Sequence, residues 1–517
     1  MGERDLALQK REKCGAEPMQ VDTFGGRLHV EWDTESSATP IGQLAFFAEF
    51  LKNAGVFDDW VGNCPLSYSS PNAPTNRDIL GTWMLSVLAG HKRYAHVTAL
   101  RGDGVSPQVL GMRRIVSEDA LRRALGRIDE ETGAAWMRKH LMRSITPALS
   151  DPWILDVDTT IKTLYGRQEG AEIGYNPWKP GRPSHAYHTY WVGNLRLVLD
   201  AEVSGGKAHT GSHALPGLSR LLEELPPEHR PFLVRGDCGF GNDTVLREME
   251  ARQQPYLFKM KQSKNVRRLL VRQFQRDDWV DAGQGWKAVE DEIKLAGWER
   301  TRRVVILRRP VKEELALARK KGKQVEMLFP DDAGTVCYEY AVLVAGCPVD
   351  TAAIAQLYRD RADAENGFDE LKNQWGWGGY TTRDIARCRL TARMVALVYN
   401  WWSWYNRMAR PGARLEAITS RPLLLAAIGR TVRHGGQSQL YLTPMHAAGR
   451  VIAAMIVRIR AGLQHVKHIA EQLPSRDRWE LSESSTCWLV RYIVDRILAS
   501  AQAVRRNQPA LPAPAAG

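Results

Sequence analysis

Apolar residues change their period along this chain, and each change marks a boundary. From Thr39 to about Ser150 they recur every three or four positions, as in IGQLAFFAEFLKNAG and NRDILGTWMLSVLAG, which lays an apolar stripe along a helix. This predicts a helical N-terminal domain over 21–150, preceded by a polar, mobile tail over 1–20. Between Trp153 and Lys261 the period shortens. WILDVDTTIK, YHTYWVG, LRLVLDAEVS, PFLVRGD and PYLFKMK read as five strands, with Gly193-Asn194 as a tight hairpin turn between the second and third. Helical stretches SHALPGLSRLLEEL and NDTVLREMEAR separate the third strand from the fourth and the fourth from the fifth.

After Lys261 the pattern breaks up. Residues 262–335 are charge-rich (RRLLVRQFQRDD, WERTRRVVILRR, RKKGK) and carry Trp279, Trp286 and Trp298, which predicts an insertion domain of mixed strand and coil. YEYAVLVAG is again an apolar strand. The core therefore falls into two parts, 151–261 and 336–405. RCRLTARMVALVYNWWSWYNRMAR and AAGRVIAAMIVRIRAGLQHVKHI are long amphipathic segments, so 406–507 reads as a basic helical region for DNA contact and dimerisation, before a disordered tail over 508–517. An antiparallel meander followed by helix, strand, helix, strand and a later helix is the order of an α/β RNase H-like fold, the retroviral integrase-like mixed sheet. Short connections and right-handed crossovers let its first and fourth strands lie side by side in parallel.

Charge sharpens the picture of the C-terminal region. The chain of 517 residues has 71 Lys plus Arg against 58 Asp plus Glu, a net of +13. Residues 381–517 hold 20 basic and 7 acidic residues, so the whole excess lies in the last quarter. Such a stripe is the usual footprint of a nucleic-acid surface. The seven cysteines are odd in number and lack CxxC spacing, which argues against a disulfide scaffold or zinc ribbon. No apolar run approaches a bilayer span, and MGERDLALQKREK is charged where a secretory signal is apolar. The expectation is a cytoplasmic protein, nucleoid-associated through DNA, with no membrane partner.

Three places carry candidate chemistry. In YRDRADAENGFDELK, residues 358 to 372, Tyr358, Arg361, Glu365 and Lys372 recur at steps of three, four and seven and so share one helical face. One carboxylate between two cations and a phenol suits a phosphodiester, with Glu365 on a divalent metal and the others toward phosphate. Asp156 and Asp158 lie two apart on the first strand, facing one way, and Asp237 ends the fourth strand in RGDCGFGN. Were those strands parallel neighbours, Asp158 and Asp237 would stand together under the helix bearing Glu365. In SPQVLGMRRIVSEDALRRALGRI, two short helices around a tight turn, with Ser117 as N-cap, would put Arg122, Arg123 and Arg127 on a basic second helix. That is either a helix-turn-helix facing a major groove or an ordinary helical hairpin.

The spacing of Tyr, two residues, Arg, three residues, Glu, six residues, Lys resembles the signature helix of bacterial insertion-sequence DDE transposases of the cut-and-paste, group-one type (IS-four- and IS-thirteen-eighty-like). Asp158-Thr159-Thr160 is similar to their first catalytic motif and Asp237 to the second. The separations of 79 and 128 residues leave room after the second Asp for a strand-rich insertion, and GYNPWKPGRP resembles the Gly- and Pro-rich loop of group-one relatives. The resemblance implies Asp158, Asp237 and Glu365 as catalytic metal ligands, with Asp156 as the alternative to Asp158; the family motif favours Asp158, because Thr follows it. It implies two Mg²⁺ ions, about 3.5–4 Å apart and replaceable by Mn²⁺, one activating water or a 3′-hydroxyl and the other stabilising the leaving oxygen.

On the same resemblance Tyr358, Arg361 and Lys372 contact transposon-end DNA. Trp286 and Trp298 either stack on an unpaired base in a hairpin-forming mechanism or simply pack in a core. The activity implied is cut-and-paste transposition: binding of terminal inverted repeats, metal-dependent cleavage and transfer of the 3′-end to target DNA, by a homodimer bridging two ends. His185, His188, His209 and His213 lie in two separate pairs without Cys partners and read as surface or DNA-facing rather than zinc-binding. The rival readings are a catalytically silent DNA-binding derivative and another RNase H-like nuclease.

Overall fold

The computed structural model describes residues 17–33, 36–208, 211–311, 329–330, 337–413, 415–444, 448–470 and 478–479. An exposed hairpin, β1 (Met19–Thr23) and β2 (Gly26–Val30), and a short strand β3 (Ser37–Thr39) come first. The start of the expected helical domain, from residue 21, therefore holds strands and a turn among its described residues up to Thr39. Their Val, Thr and Gly content and short polar breaks favour strand and turn. Helices follow: α1 (Leu44–Ala54), α2 (Val56–Gly62), α3 (Asn76–Leu88), α4 (Val97–Leu100), α5 (Ser106–Val109), α6 (Glu118–Leu125) and α7 (Glu130–Arg143). Local chemistry sets their starts. Thr75 and Asp78 form a reciprocal capping box on α3, and Ser117 and Asp129 accept backbone N–H groups at the starts of α6 and α7.

The predicted helix-turn-helix differs in detail. The chain between α5 and α6 runs through residues 110–117 instead of making a tight turn, and Arg127 lies beyond the end of α6.

The centre of the molecule is one mixed sheet. Its strands are β4 (Ile154–Thr163), β5 (Glu172–Ile173), β6 (Pro183–Val192), β7 (Leu197–Gly205), β8 (Leu233–Gly236), β9 (Tyr256–Lys259), β10 (Val280–Asp281), β11 (Lys287–Ile293), β12 (Arg302–Val311), β13 (Phe329–Pro330) and β14 (Cys337–Ala345). Helices α8 (Gly211–Glu224), α9 (Asp243–Ala251) and α10 (Lys264–Gln273) lie between them in sequence. The order is β10-β11-β12-β14-β9-β8-β4-β6-β5, with β7 also on β6 and β13 on β14. Within it β4, β6 and β7 form an antiparallel meander, and β4 pairs in parallel with β8, which pairs in parallel with β9. The expected neighbouring of the first and fourth strands is thus present.

Two sequence expectations need correction here. The β6–β7 turn spans residues 193–196, not Gly193-Asn194 alone, and Arg196 takes a left-handed φ of 48° within it. The segment 262–335, expected as an insertion domain of mixed strand and coil, contributes β10 to β12 to the same sheet, because β12 and β14 pair over a long antiparallel ladder. That pairing is non-local, so alternation alone does not reveal it.

The remaining helices are α11 (Thr351–Arg359), α12 (Ala362–Asn373), α13 (Ile385–Ala409), α14 (Ala417–Leu424) and α15 (Gly449–Ala470), with the hairpin β15 (Gly429–His434) and β16 (Gln437–Leu442) between the last two. The stretch after Gly378, expected to be helical, thus contains two strands, and β15 pairs with β3. Helix α13 is buried on nearly all sides along its middle, so its few polar side chains there need partners. Asn400 ties it down on both flanks, accepting from Val198 N and donating to Val198 O (2.9 Å each) on β7 and to Ser144 Oγ (3.0 Å) after α7. Trp401, Trp402 and Trp404 are buried core residues, and one apolar cluster runs from the N-terminal helices through the sheet to α13 and α15.

Candidate active site

The parallel pairing of β4 and β8 decides what their carboxylates can do. Asp156 stands directly opposite Arg235 in the register. Arg235 donates from Nε to Oδ1 (2.5 Å) and from Nη2 to Oδ2 (2.7 Å), and neither side chain reaches solvent. Burial pushes the Asp156 carboxyl up, while the guanidinium opposes that shift. Val157 and Gly236 form the last registered pair, so the next residues, Asp158 within β4 and Asp237 just past the end of β8, come out side by side where the parallel ladder stops. Asp158 accepts from Thr159 N (2.7 Å), and Asp237 accepts from Gly239 N (2.8 Å) in the glycine-containing loop. The Asp158 carboxyl is pushed up to about 6: burial raises it most, and Asp237 and Glu365 add to this against the pull of Arg361.

Glu365 arrives from α12. The predicted single helix 358–372 is two helices, with Asp360 and Arg361 forming the joint between α11 and α12. Tyr358 thus belongs to α11 and Arg361 to the entry of α12. Arg361 is buried and points inward, with Nη1 on Glu365 Oε1 (2.9 Å) and Nη2 3.1 Å from Asp158 Oδ2. It joins the β4 carboxylate to the helical one. Glu365 is 64% exposed, so it remains free to turn. Gly367 lets α12 approach the sheet closely, since an added Cβ would overlap the ring of Trp191 on β6.

The other expected residues divide. Tyr358 is half-buried, its phenol pushed up by burial, and with Lys259, Trp286, Arg361 and Glu365 it lines a cleft of about 210 Å³. Trp286, covered by Arg309 at 4.8 Å, therefore shares that cleft with Glu365. Trp298 is not. It is buried beneath Arg302 at 5.0 Å and belongs to the core. Lys372 donates to Ile161 O on β4 (3.3 Å). Arg122 pairs with Glu118 (2.6 Å) and lies over Tyr94, Arg127 lies over Tyr68, and Arg123 is exposed; none of the three lines the cleft at Glu365.

The histidines expected at the surface are corrected in part. His185 and His188 are buried on β6, where His185 Nε2 meets Glu169 O (2.7 Å) and His188 Nδ1 meets Thr159 Oγ1 (2.9 Å). His213 is exposed on α8, and His209 lies outside the described residues. Arg235 escaped the sequence reading. The signal was available: it lies two residues before Asp237 on the same face of a short strand, and pairing that strand with β4 puts it against Asp156.

Among the described residues, no three His, Cys, Asp or Glu side chains converge tightly enough to enclose a metal ion. The donor chemistry still fits a hard divalent cation: burial first, and then the neighbouring Asp237 and Glu365, disfavour the ionised Asp158, and an added cation would offset both.

Residues 72–463 match the family model described as transposase DDE domain group 1. Among solved structures, a cryo-EM structure of the piggyBac transposase synaptic complex with hairpin DNA is similar at 11% identity, covering 86% of this chain and 87% of that one, with a TM-score of 0.36. No curated protein matches. The matched span includes Asp158, Asp237 and Glu365, and it covers well over half the sequence: the chain belongs to the group-one DDE-domain transposases.

Proposed function

We propose that this protein binds the terminal inverted repeats of its own element, cleaves the DNA there and transfers the freed 3′-end to target DNA. The observation that carries this reading is the placement of Asp158 on β4 and Asp237 just past β8 where their parallel ladder stops, with Glu365 linked to Asp158 through Arg361. The meander followed by parallel β4, β8 and β9 supports an RNase H-like core.

Asp158, Asp237 and Glu365 would hold Mg²⁺, with Mn²⁺ as a substitute. When bound, the metal supplies activation of a water or 3′-hydroxyl and stabilisation of the leaving oxygen. The protein's own groups do the rest. Arg361 balances the carboxylates and would offer its fork to a phosphate; Tyr358 and Trp286 line the cleft where a strand would lie. Asp156 is occupied by Arg235 and serves as the structural residue of the pair. Trp286 is the better placed of the two predicted tryptophans to stack on a base, should excision pass through a hairpin end. A homodimer would bring two ends together.

Incubating purified protein with end-containing DNA and Mg²⁺, alongside Glu365→Gln, tests this. Nicking by the wild type and its loss in the variant, with DNA binding retained, is the expected result. Binding without nicking by the wild type would exclude the activity; nicking that survives the substitution would exclude this site.

A further inference from the structure

The β15–β16 hairpin has no part in the carboxylate site, and its chemistry is unusual for a surface element. Its two-residue turn, Gly435 and Gly436, has positive φ at both positions (57° and 77°), as a tight hairpin turn with right-handed strand twist requires. Only the first half of β15, Gly429–Thr431, pairs with β3. Beyond that point the ribbon is two-stranded, and every residue from 433 to 439 is exposed. A two-stranded ribbon in water is at best marginally stable, so one that stands clear of the body is expected to have a surface to lie on.

Charge says which surface. The 54 residues from 417 to 470 contain seven Lys plus Arg and not one Asp or Glu. Among the described residues, neither Arg430 nor Arg433 has a carboxylate partner. The register places Arg430 across from Tyr441, Val432 across from Gln439 and His434 across from Gln437, so one face of the ribbon carries a cation, an imidazole, two amides and a phenol around a single apolar residue, with no acid. Arg433 lies on the other face, toward Ser438. Cations on both faces with amides between them suit a polyanion whose edges also accept hydrogen bonds. A two-stranded ribbon fits the major groove of B-form DNA, about 12 Å wide, where Arg and Gln side chains read base edges.

The base of the ribbon is firmly attached. Helix α14, just before it, is hydrogen-bonded to the end of α12: Ala417 N donates to Glu370 Oε1 (2.9 Å), Arg421 Nη1 to Gln374 O (2.8 Å), and Gln374 Nε2 to Glu416 Oε2 (2.7 Å). The same α12 carries Glu365. A duplex held by the ribbon is thus held by an element tied to the catalytic helix.

We propose that the β15–β16 hairpin is a DNA-binding arm that enters a groove of duplex DNA, with Arg430, Arg433, Gln437 and Gln439 as its contacts. This rests on reading the chain as a DNA transposase. The test is fluorescence anisotropy on the full-length protein without divalent metal, using a labelled random-sequence DNA duplex and an unlabelled RNA duplex as competitor. Arg430→Ala/Arg433→Ala should bind DNA roughly tenfold or more weakly, with a salt dependence shallower by about two in log–log slope. Its thermal melting should be unchanged, because both side chains are exposed. A variant that keeps wild-type affinity and slope overturns the proposal, as does a wild type that binds no duplex, or one that prefers the RNA competitor. A wild type that binds this duplex but does not nick end-containing DNA with Mg²⁺ excludes the transposase activity instead; loss of its binding in the arginine variant still supports the arm.

Discussion

Single residues divide the acidic groups near the strand ends by the company they keep. Asp156 and Asp158 are two positions apart on one strand, yet one is fully paired in the dark and the other shares a guanidinium at the edge of a cleft. Removing one partner of a buried ion pair leaves an uncompensated charge, so Asp156→Ala should destabilise the fold by about 3–5 kcal/mol, measured by denaturant unfolding. Asp158→Asn should instead leave stability equal or higher, since it removes a carboxyl that burial disfavours. Proton and metal compete for Asp158. Its folded-state pKa is raised to about 6, so at pH 5 the carboxyl is mostly protonated and by pH 7 mostly ionised. Mn²⁺ affinity followed by titration calorimetry should rise across that interval; affinity that is flat from pH 5 to 7 would remove Asp158 from the site.

Elements explain where the sequence was legible and where it was not. The strand of Asp158, the strand end at Asp237 and the helix of Glu365 were readable because alternation, apolar runs and helical spacing are local signals. The joint at Asp360 and Arg361 was not, since its backbone stays in the helical region and only the hydrogen-bond pattern breaks. Arg235 against Asp156 and β12 against β14 were hidden because they depend on register between distant segments. The β15–β16 hairpin did carry a local signal, Gly-Gly between alternating residues, overshadowed by the long amphipathic helices on either side. The seating of α12 is testable at Gly367. A Gly367→Val side chain would meet Trp191, push α12 off β6 and carry Glu365 with it. Nicking should fall at least tenfold while the protein still folds, with a stability loss of roughly 1–3 kcal/mol as in other overpacked cores; undiminished nicking would show that the close approach does not set the site.

For the whole molecule, one sheet from β10 to β5 is covered by a core cluster that reaches the N-terminal helices and by a second cluster against α11 and Tyr358, so stability and site geometry are linked. His140 on α7 gives this core a pH response. Burial, helped by Lys139, lowers its pKa to about 4 from an ordinary 6.5, so the folded state keeps it neutral where the unfolded chain takes a proton. Its contribution to stability is intact above pH 6.5 and is lost as pH falls toward 4, a change of roughly 3 kcal/mol. His140→Gln should flatten that part of the stability profile in denaturant titrations from pH 7 to 4.

The account as a whole stands on three carboxylates from β4, the end of β8 and α12 sharing one metal site. Iron-directed cleavage examines that without relying on activity: Fe²⁺ loaded in place of Mg²⁺, with ascorbate and peroxide, cuts the backbone near the bound ion. Cuts near residues 158, 237 and 365, suppressed by excess Mg²⁺ and absent in Asp237→Asn, are predicted. Cuts elsewhere in the chain, or the same cuts surviving in Asp237→Asn, would contradict the shared site.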